Sequence, residues 1–256
     1  MRSKNKTQYG YGNFGNLSRY YAGARQNFPQ EIIEWFWLLV KNRDAKILDL
    51  GCGTGISTRQ IAEIGGAVIG CDIDGQMIAE AKKLNDRLEY LVAGAEKLPF
   101  SDNEFDAMTA FSAFHWFANE KALSEIKRTL KSNGIFYIVN KNDTGNFKKG
   151  YKEIIRSVLR HDLPEAKKGY EPERLLKKSG FVDIQVRDFA ASEYFTLPQA
   201  IEYLQSVSIW NLIPAHRKSD TLKLLKNYCA KHMTNGKIER KLNTRAVVAR
   251  KGKESA

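Results

Sequence analysis

The feature that most constrains this chain is a glycine-rich loop between an apolar strand and a helical segment. Residues Ile47–Gly55 read ILDLGCGTG, so a short apolar run ends in glycines at alternate positions. Glycine lets the backbone turn sharply and approach a ligand that a Cβ atom would repel. The N–H groups that begin the following helix can bind an anionic group. The loop therefore predicts a ligand site in an α/β fold.

Residues in and around the loop narrow the class of ligand. A nicotinamide-binding fold prefers GxGxxG, but Ile56 stands where the third glycine would be. Asp49 precedes the loop, where it would repel a pyrophosphate and favour a ligand with a positive amino group. A P-loop is excluded because no Lys-Ser/Thr pair closes the motif. Asp72, at the end of the next predicted strand, can accept hydrogen bonds from both ribose hydroxyls.

Apolar strands alternate with amphipathic helices from Lys46 to Val139, which predicts right-handed βαβ units and a parallel sheet covered on both faces. The strands predicted in this region are Ile47–Leu50, Ala67–Cys71, Leu88–Ala93, Phe105–Phe111 and Ile135–Val139. Later strands are predicted at Phe181–Phe189 and Thr244–Arg250. Later helices are predicted at Tyr151–Leu159, Pro172–Ser179, Pro198–Ser208 and Pro214–Met233.

The formal net charge of +12 is confined to the C-terminal half of the 256 residues. Residues 1–128 carry 16 basic and 16 acidic side chains, whereas residues 129–256 carry 25 and 13. Three interpretations stay open: a solvated lysine face, attraction of an anionic small molecule, or binding of an RNA backbone. Residues 217–253 contain Tyr228 as their only aromatic residue, which argues against RNA recognition by stacking.

The spacing of the cysteines indicates whether the chain forms disulfides or binds a metal, and the length of its apolar runs indicates whether it is secreted or spans a membrane. Cys52, Cys71 and Cys229 form neither a CxxC pair nor a metal-ligand spacing, so we expect no disulfide scaffold, no metal and a reducing cytoplasm. Met1–Gly10 lacks the apolar core of a secretory signal. The longest apolar run, Ile32–Val40, is far shorter than the roughly 20 residues of a membrane span. We therefore predict a cytoplasmic protein without a membrane anchor.

Four motifs occur in order along residues 46–141: DLGCGTG, GCDID, AGAEKLPFSDNEFDAM and LSEIKRTLKSNGIFYIV. Together they resemble the class I S-adenosylmethionine-dependent methyltransferases, of the type 11 or ubiquinone-type group. A narrower resemblance, to the small-molecule branch of trans-aconitate-type enzymes, is carried by Phe14, Tyr21, Arg25, Pro29 and the segment FHWF at 114–117.

The resemblance implies a Rossmann-like, doubly wound α/β sheet of seven strands, mostly parallel with the last strand antiparallel. It also implies a helical substrate cap. Within a single domain, we expect residues 1–45 to form an N-terminal helical lid segment and residues 46–142 the cofactor-binding core. Residues 143–256 would complete the sheet and supply the cap insertions.

The resemblance further implies S-adenosylmethionine as the cofactor. The glycine loop would pass its methionyl part with Asp49 near the amino group, and Asp72 would hold the ribose. Ile73 and Met77 would pack on the adenine. Many relatives have an acid where this chain has Gly94, so the contact to the adenine amino group departs from the family. The predicted cofactor-binding residues are Arg25, Asp49, Gly51, Cys52, Gly53, Gly55, Asp72, Ile73, Met77, Ala95 and Glu96.

The implied reaction is methyl transfer to an oxygen, nitrogen or carbon atom of a small acidic or polar metabolite. His115 follows the fourth strand at the ligand edge and is the candidate general base; alternatively, it orders its own loop. Tyr21, His115 and Trp116 are the candidate acceptor contacts, and Arg25 could pair with a carboxylate. A plain amphipathic helix explains Tyr21 and Arg25 equally well.

Two other functions are consistent with the same motifs. An RNA or tRNA methyltransferase would use the basic C-terminal half, and a catalytically silent regulator would bind the cofactor without turnover. We expect a monomer or a homodimer that acts on a small molecule.

Overall fold

The computed structural model describes residues 14–84, 87–164 and 170–252, so the segment Met1–Gly10 lies outside the described residues. The described helices are α1 Ser18–Ala24, α2 Gln30–Val40, α3 Ile56–Ala62, α4 Gly75–Lys82, α5 Phe114–Phe117, α6 Glu120–Thr129, α7 Phe147–Leu159, α8 Pro172–Lys178, α9 Leu197–Gln205 and α10 Ala215–Lys231. The described strands are β1 Lys46–Leu50, β2 Ala67–Asp72, β3 Glu89–Val92, β4 Phe105–Phe111, β5 Leu130–Asp143, β6 Phe181–Phe195 and β7 Ile238–Lys251. None of the described helices is long and apolar enough to span a bilayer.

Within the described residues, the seven strands form one sheet in the order β3-β2-β1-β4-β5-β7-β6. Strand β1 is central, pairing in parallel with β2 on one side and β4 on the other. The sheet is mostly parallel with one antiparallel strand, which confirms the predicted α/β fold class. The strand order reverses next to β1, and ligands of open α/β sheets bind at such a switch point.

The described residues divide into two compact units, which we call the core unit and the helical unit. The core unit comprises residues 27–84, 87–142, 170–189 and 243–252. The helical unit comprises residues 14–26, 143–164 and 190–242. Helix α2, which the sequence placed in a lid segment, thus belongs to the core unit.

The core unit is packed on both faces of the sheet because successive residues of a strand point to opposite sides. Ile47 lies in the cluster that contains Phe36 and Trp37 of α2, whereas Leu48 lies in the cluster of Leu123 and Ile126 of α6. Both Ile47 and Leu48 are fully buried. This burial on two faces explains why β1 reads as a continuous apolar run.

The last three strands are longer than the sequence predicted. The fifth begins at Leu130 rather than Ile135, the sixth continues to Phe195, and the seventh begins at Ile238. The added residues include charged side chains such as Arg240, which is buried against acidic partners in the helical unit. An apolar pattern underestimates such strands because buried polar side chains interrupt it.

Candidate active site

The glycine loop that follows β1 is fixed by left-handed backbone conformations. Gly51, Gly53 and Gly55 have φ values of 65°, 56° and 80°. A Cβ atom at Gly51 would lie 2.6 Å from Ala113 Cβ, and one at Gly55 would lie 2.6 Å from Tyr90 Oη. Two of the three glycines are therefore required by protein packing itself, in addition to any approach of a ligand.

Asp49, at the end of β1, is fully buried and accepts three hydroxyl hydrogen bonds. Ser57 Oγ and Thr58 Oγ1 of α3 donate to Oδ2 at 2.7 and 2.8 Å, and Thr109 Oγ1 of β4 donates to Oδ1 at 2.7 Å. Burial raises the pKa of Asp49, although these hydroxyls oppose the shift. The carboxylate thus joins β1, α3 and β4 beneath the loop. Its place beside a cofactor amino group stays a prediction.

Asp72, the last residue of β2, holds the loop from the other side. Gly53 N donates to its Oδ2 at 3.0 Å, and Asp74 N donates to its Oδ1 at 2.9 Å. Burial raises the pKa of this carboxyl, and the two backbone donors oppose the shift. A carboxylate has about four acceptor positions, so Asp72 retains capacity for ribose hydroxyls.

An apolar surface adjoins Asp72 at the same edge of the sheet. Ile73 is 78% exposed and Val92, the last residue of β3, is 61% exposed. A Cβ atom at Gly94 would lie 3.4 Å from Ile73 Cδ1. The absence of a side chain at Gly94 therefore leaves this side of Ile73 uncovered. Two exposed apolar side chains next to a carboxylate suit a planar base attached to a ribose.

Of the other predicted cofactor-binding residues, Met77 is buried and Glu96 already accepts a hydrogen bond from another side chain. Met77 of α4 is only 4% exposed, so the protein covers its side chain. Ala95 and Glu96 lie in the turn bracketed by the Gly94–Lys97 bridge, and Asn119 Nδ2 donates to Glu96 Oε1 at 2.8 Å. Their contacts to an adenine stay predictions.

The sequence did not single out Thr54, which lies inside the glycine loop. Its side chain is 2% exposed, and its Oγ1 has no hydrogen-bond partner among the described residues. A buried hydroxyl without a partner is costly in a folded protein, and its position suits a polar ligand group at the loop. The Asp72 carboxylate, the Ile73 surface and this hydroxyl together fit a ligand that carries a polar chain, a ribose and a base.

His115 and Trp116 lie in α5, directly after β4. Within the core unit, Phe117 of the same helix would be 3.4 Å from a Cβ atom at Gly51, so α5 packs against the glycine loop. The His115 ring lies 5.0 Å from that of Trp116 and 6.1 Å from that of Tyr170. Burial raises the pKa of Tyr170 and the Asn140 side chain opposes the shift. Sequence reasoning missed Tyr170 because it lies far along the chain.

Arg25 and Tyr21 belong to the helical unit. The guanidinium carbon of Arg25 lies 4.7 Å from the centroid of the Tyr21 ring, and Arg25 Nε donates to Ser206 Oγ at 2.9 Å. Nothing in these contacts tests whether either residue touches cofactor or acceptor, and both roles stay predictions.

The cysteines near the loop are buried thiols. Cys52 and Cys71 are 6% and 1% exposed, and burial raises the pKa of both. Both are therefore poor nucleophiles and poor metal ligands. Within the described ranges, no three His, Cys, Asp or Glu side chains are grouped as a metal site would require.

Comparison with known proteins finds a family model that matches the same region of the chain. Residues 48–138 match the family model described as a methyltransferase domain. An uncharacterised methyltransferase of Mycobacterium bovis is 26% identical over 219 residues, covering 86% of each chain. A sterol 24-C-methyltransferase of Yarrowia lipolytica is 28% identical over 221 residues, covering 78% of this chain and 58% of its own length.

A solved structure shows the same fold. The phosphoethanolamine N-methyltransferase 2 of Haemonchus contortus, solved in complex with S-adenosyl-L-methionine, superposes with a TM-score of 0.55 at 22% identity. The superposition covers 93% of this chain and 57% of the other. Residues 48–138, the range that the family model matches, contain the glycine loop, Asp72 and the apolar surface beside it. The family-model match and the named methyltransferase relatives support a class I methyltransferase that uses S-adenosylmethionine as cofactor.

Proposed function

We propose that this enzyme transfers the methyl group of S-adenosylmethionine to an oxygen, nitrogen or carbon atom of a small acidic or polar metabolite. The similarity to methyltransferases supports the reaction, and the proposal concerns the acceptor. The observation that carries it is that Arg240 and Lys251, two cations of the basic C-terminal half, are buried inside the protein, where a nucleic acid backbone would not reach them.

Four basic residues of β7 have hydrogen-bond or ion-pair partners within the protein, and two of them are buried. Arg240 pairs with Asp143 and Glu193 within the helical unit. In the core unit, Arg245 pairs with Glu173 and Asp188, whereas Arg250 donates to the carbonyl oxygens of Leu39 and Asn133. Lys251 is buried and donates to Asn103 Oδ1 and the Leu130 carbonyl.

Helix α10 carries much of the remaining charge. Its Lys223 forms a largely exposed pair with Asp220, which is worth little energetically. Its inner side chains Leu225 and Cys229 are fully buried. The exposed lysines of α10 are therefore interpreted as the solvated face of an amphipathic helix.

The bound cofactor would supply an activated methyl group, so the protein's task is to position the acceptor. Holding a nucleophile close to the methyl carbon and on its axis can contribute about 7–11 kcal/mol. A carboxylate acceptor needs no base. A phenol, enol or amine acceptor would benefit from His115 as the base, at the carboxyl edge of β4.

One of the relatives has a name that describes methylation of a sterol carbon, and a sterol is a small molecule. That name concerns the relative and not this chain. It supports a low-molecular-weight acceptor and leaves the acceptor atom open.

Methyl-labelled S-adenosylmethionine and a cell extract test the proposal. After incubation, the extract is separated into RNA, protein and small molecules, and the small molecules are resolved by anion exchange. We expect label in acidic small molecules, and no label with Asp72→Ala. Label in RNA that is lost on ribonuclease treatment would instead show an RNA methyltransferase. Tight binding of S-adenosylhomocysteine without labelled product would indicate a silent regulator.

A further inference from the structure

A cavity of about 580 Å³ lies within the helical unit, and we call it the Lys218 cavity after the cation in its lining. Its described lining comes from α1, the end of α9, α10 and two short 3-10 turns, Gly15–Leu17 and Ser208–Leu212. All of these segments belong to the helical unit. The volume falls within the range of about 300–1,000 Å³ that is usual for small-molecule sites.

The apolar part of the lining is fixed by the packing of the unit itself. Leu17 and Trp210 are 2% and 3% exposed, and both belong to the hydrophobic cluster of the helical unit. Leu222 of α10 is half-buried and packs against the same cluster. Side chains that are this closely packed have little freedom to rearrange, so a ligand would meet a preformed apolar surface.

The polar part of the lining consists of three amides and one ammonium group, those of Asn16, Gln205, Asn211 and Lys218. Gln205 is only 8% exposed, so a polar side chain that is almost removed from water lines the cavity. Lys218 Nζ lies 5.8 Å from the centroid of the Trp210 ring, a contact that favours its position at the cavity. Among the described residues, no acidic side chain lines the cavity or forms an ion pair with Lys218.

The net charge of the helical unit determines the sign of the ligand that the cavity favours. The described residues of the helical unit carry 15 Lys and Arg against 7 Asp and Glu, a net charge of +8. Those of the core unit carry 20 against 19. The basic excess is therefore concentrated in the unit that contains the cavity, and such a field attracts anions and disfavours cations.

We propose that the Lys218 cavity binds a small monocarboxylate that also carries an amide or hydroxyl group and an apolar body. Lys218 would pair with the carboxylate, and the single cation in the described lining matches a single negative charge better than a phosphate dianion. The amides of Asn16 and Gln205 would bind the uncharged polar group, because an amide both donates and accepts. The apolar surface of Leu17 and Leu222 would contact the body of the ligand. This inference concerns the helical unit alone and does not depend on the identity of the methyl acceptor.

The test is an NMR titration of the full chain with N-acetylleucine, a monocarboxylate that has one amide and an apolar side chain. The sequence contains four tryptophans, so Trp210→Phe assigns the indole N–H resonance of Trp210. We expect N-acetylleucine, added up to about 10 mM to detect weak binding, to shift the Trp210 resonance. The resonances of Trp35 and Trp37, which lie in the core unit, should stay in place. N-acetylleucinamide lacks the charge and should bind at least about tenfold more weakly.

Two pairs of variants test the residues of the cavity. Lys218→Gln should weaken binding about tenfold or more through the loss of a charge-assisted hydrogen bond, and Lys223→Gln, on the exposed part of the same helix, is its control. Leu222→Trp adds bulk inside the cavity and should abolish binding. Leu224→Trp, at a residue 47% exposed on α10, should bind as wild type does. Urea unfolding checks that each variant is folded, and Lys218→Gln alone decides the matter if Leu222→Trp is not.

Four results would overturn the proposal. The first is a Trp210 resonance that does not move, and the second is an equal affinity for N-acetylleucinamide or for inorganic phosphate. The third is a shift of Trp116 without a shift of Trp210, which would place the acid in the core unit. The fourth is wild-type affinity in Lys218→Gln.

Discussion

The backbone N–H of Gly53 donates a 3.0 Å hydrogen bond to the carboxylate of Asp72, which ties the glycine loop to the end of β2. Asp72 therefore shapes the loop before it contacts any ligand. The predicted contact with the ribose would use the acceptor positions that the two backbone donors leave open. One carboxylate would thus couple the conformation of the loop to cofactor binding.

Replacement of Asp72 tests this double role. Asp72→Ala should weaken S-adenosylhomocysteine binding by about 10- to 100-fold, because hydrogen bonds to a charged group contribute roughly 1.5–3 kcal/mol. Calorimetry measures the dissociation constant. Asp102→Ala is the control, since that side chain is 71% exposed and pairs on the surface with Arg128. Unchanged affinity in Asp72→Ala would refute the ribose contact.

The packing of Gly51 predicts a loss of stability that does not depend on the cofactor. Gly51→Ala combines a φ of 65° with a Cβ atom placed 2.6 Å from Ala113 Cβ, and should cost about 2–4 kcal/mol of unfolding free energy. Gly236→Ala, with a φ of 74° and no atom within 4 Å, should cost only about 1–2 kcal/mol. Urea unfolding without ligand measures both.

The clash itself can be isolated with a second substitution. Adding Ala113→Gly to Gly51→Ala removes the opposing Cβ atom and should recover stability relative to Gly51→Ala. If the double variant is no more stable than Gly51→Ala, contact with Ala113 is not the cause of the loss.

Ile73 is predicted to contribute to binding and almost nothing to folding. Ile73→Ala should weaken S-adenosylhomocysteine binding by about 10- to 60-fold, since it removes three carbon atoms and each one buried under a base contributes up to about 0.8 kcal/mol. The unfolding free energy should change by less than about 0.5 kcal/mol, because the side chain is 78% exposed. Leu38→Ala, at a residue 69% exposed on α2, should alter neither quantity. Equal affinities for wild type and Ile73→Ala would remove Ile73 from the adenine site.

Asp143 predicts a pH dependence of stability. Burial alone would raise its pKa, but Arg240 and Lys148 hold the pKa below its usual value of 3.8. The ionised form of Asp143 is thus favoured in the folded state. Its contribution to the free energy of unfolding is complete above pH 3.8 and is lost as the pH falls through the lower pKa of the folded state. Asp143→Asn should cost about 3 kcal/mol near pH 7, because it leaves Arg240 partly uncompensated.

Unfolding by urea at a series of pH values measures this effect. The difference between wild type and Asp143→Asn should shrink at acidic pH, whereas Asp220→Asn should cost under about 0.5 kcal/mol throughout, since its pair with Lys223 is largely exposed. A difference that stays constant down to the acid range would contradict the ion-pair explanation.

His115 is tested once an acceptor has been found in the extract experiment. For a phenol, enol or amine acceptor, His115→Gln should lower kcat about a hundredfold or more, the usual contribution of a general base. The dissociation constant of S-adenosylhomocysteine should stay near that of wild type, and exposed His161→Gln should leave kcat unchanged. An unaltered kcat in His115→Gln would show that the ring only packs beside Trp116 and Tyr170.

The sequence by itself determined the central half of the sheet and the location of the loop. Burial on two faces makes β1 a continuous apolar run, and the left-handed backbone at Gly51 and Gly55 requires glycine. Both features can therefore be recognised from the local sequence. Phe105–Phe111 was predicted with the bounds that the structure has. The four motifs sufficed to indicate the cofactor.

Only the tertiary structure decided what the charged and polar side chains do. Asp49 accepts hydroxyls from residues 8, 9 and 60 positions away, and Arg240 meets acids 47 and 97 positions away. No periodicity encodes such pairings, because each depends on where separate segments come together. For the same reason the sequence does not show which basic side chains are buried against acids, as Arg240 is, and which are exposed. Arg25, by contrast, is held by neutral partners, a distinction that long-range packing alone creates.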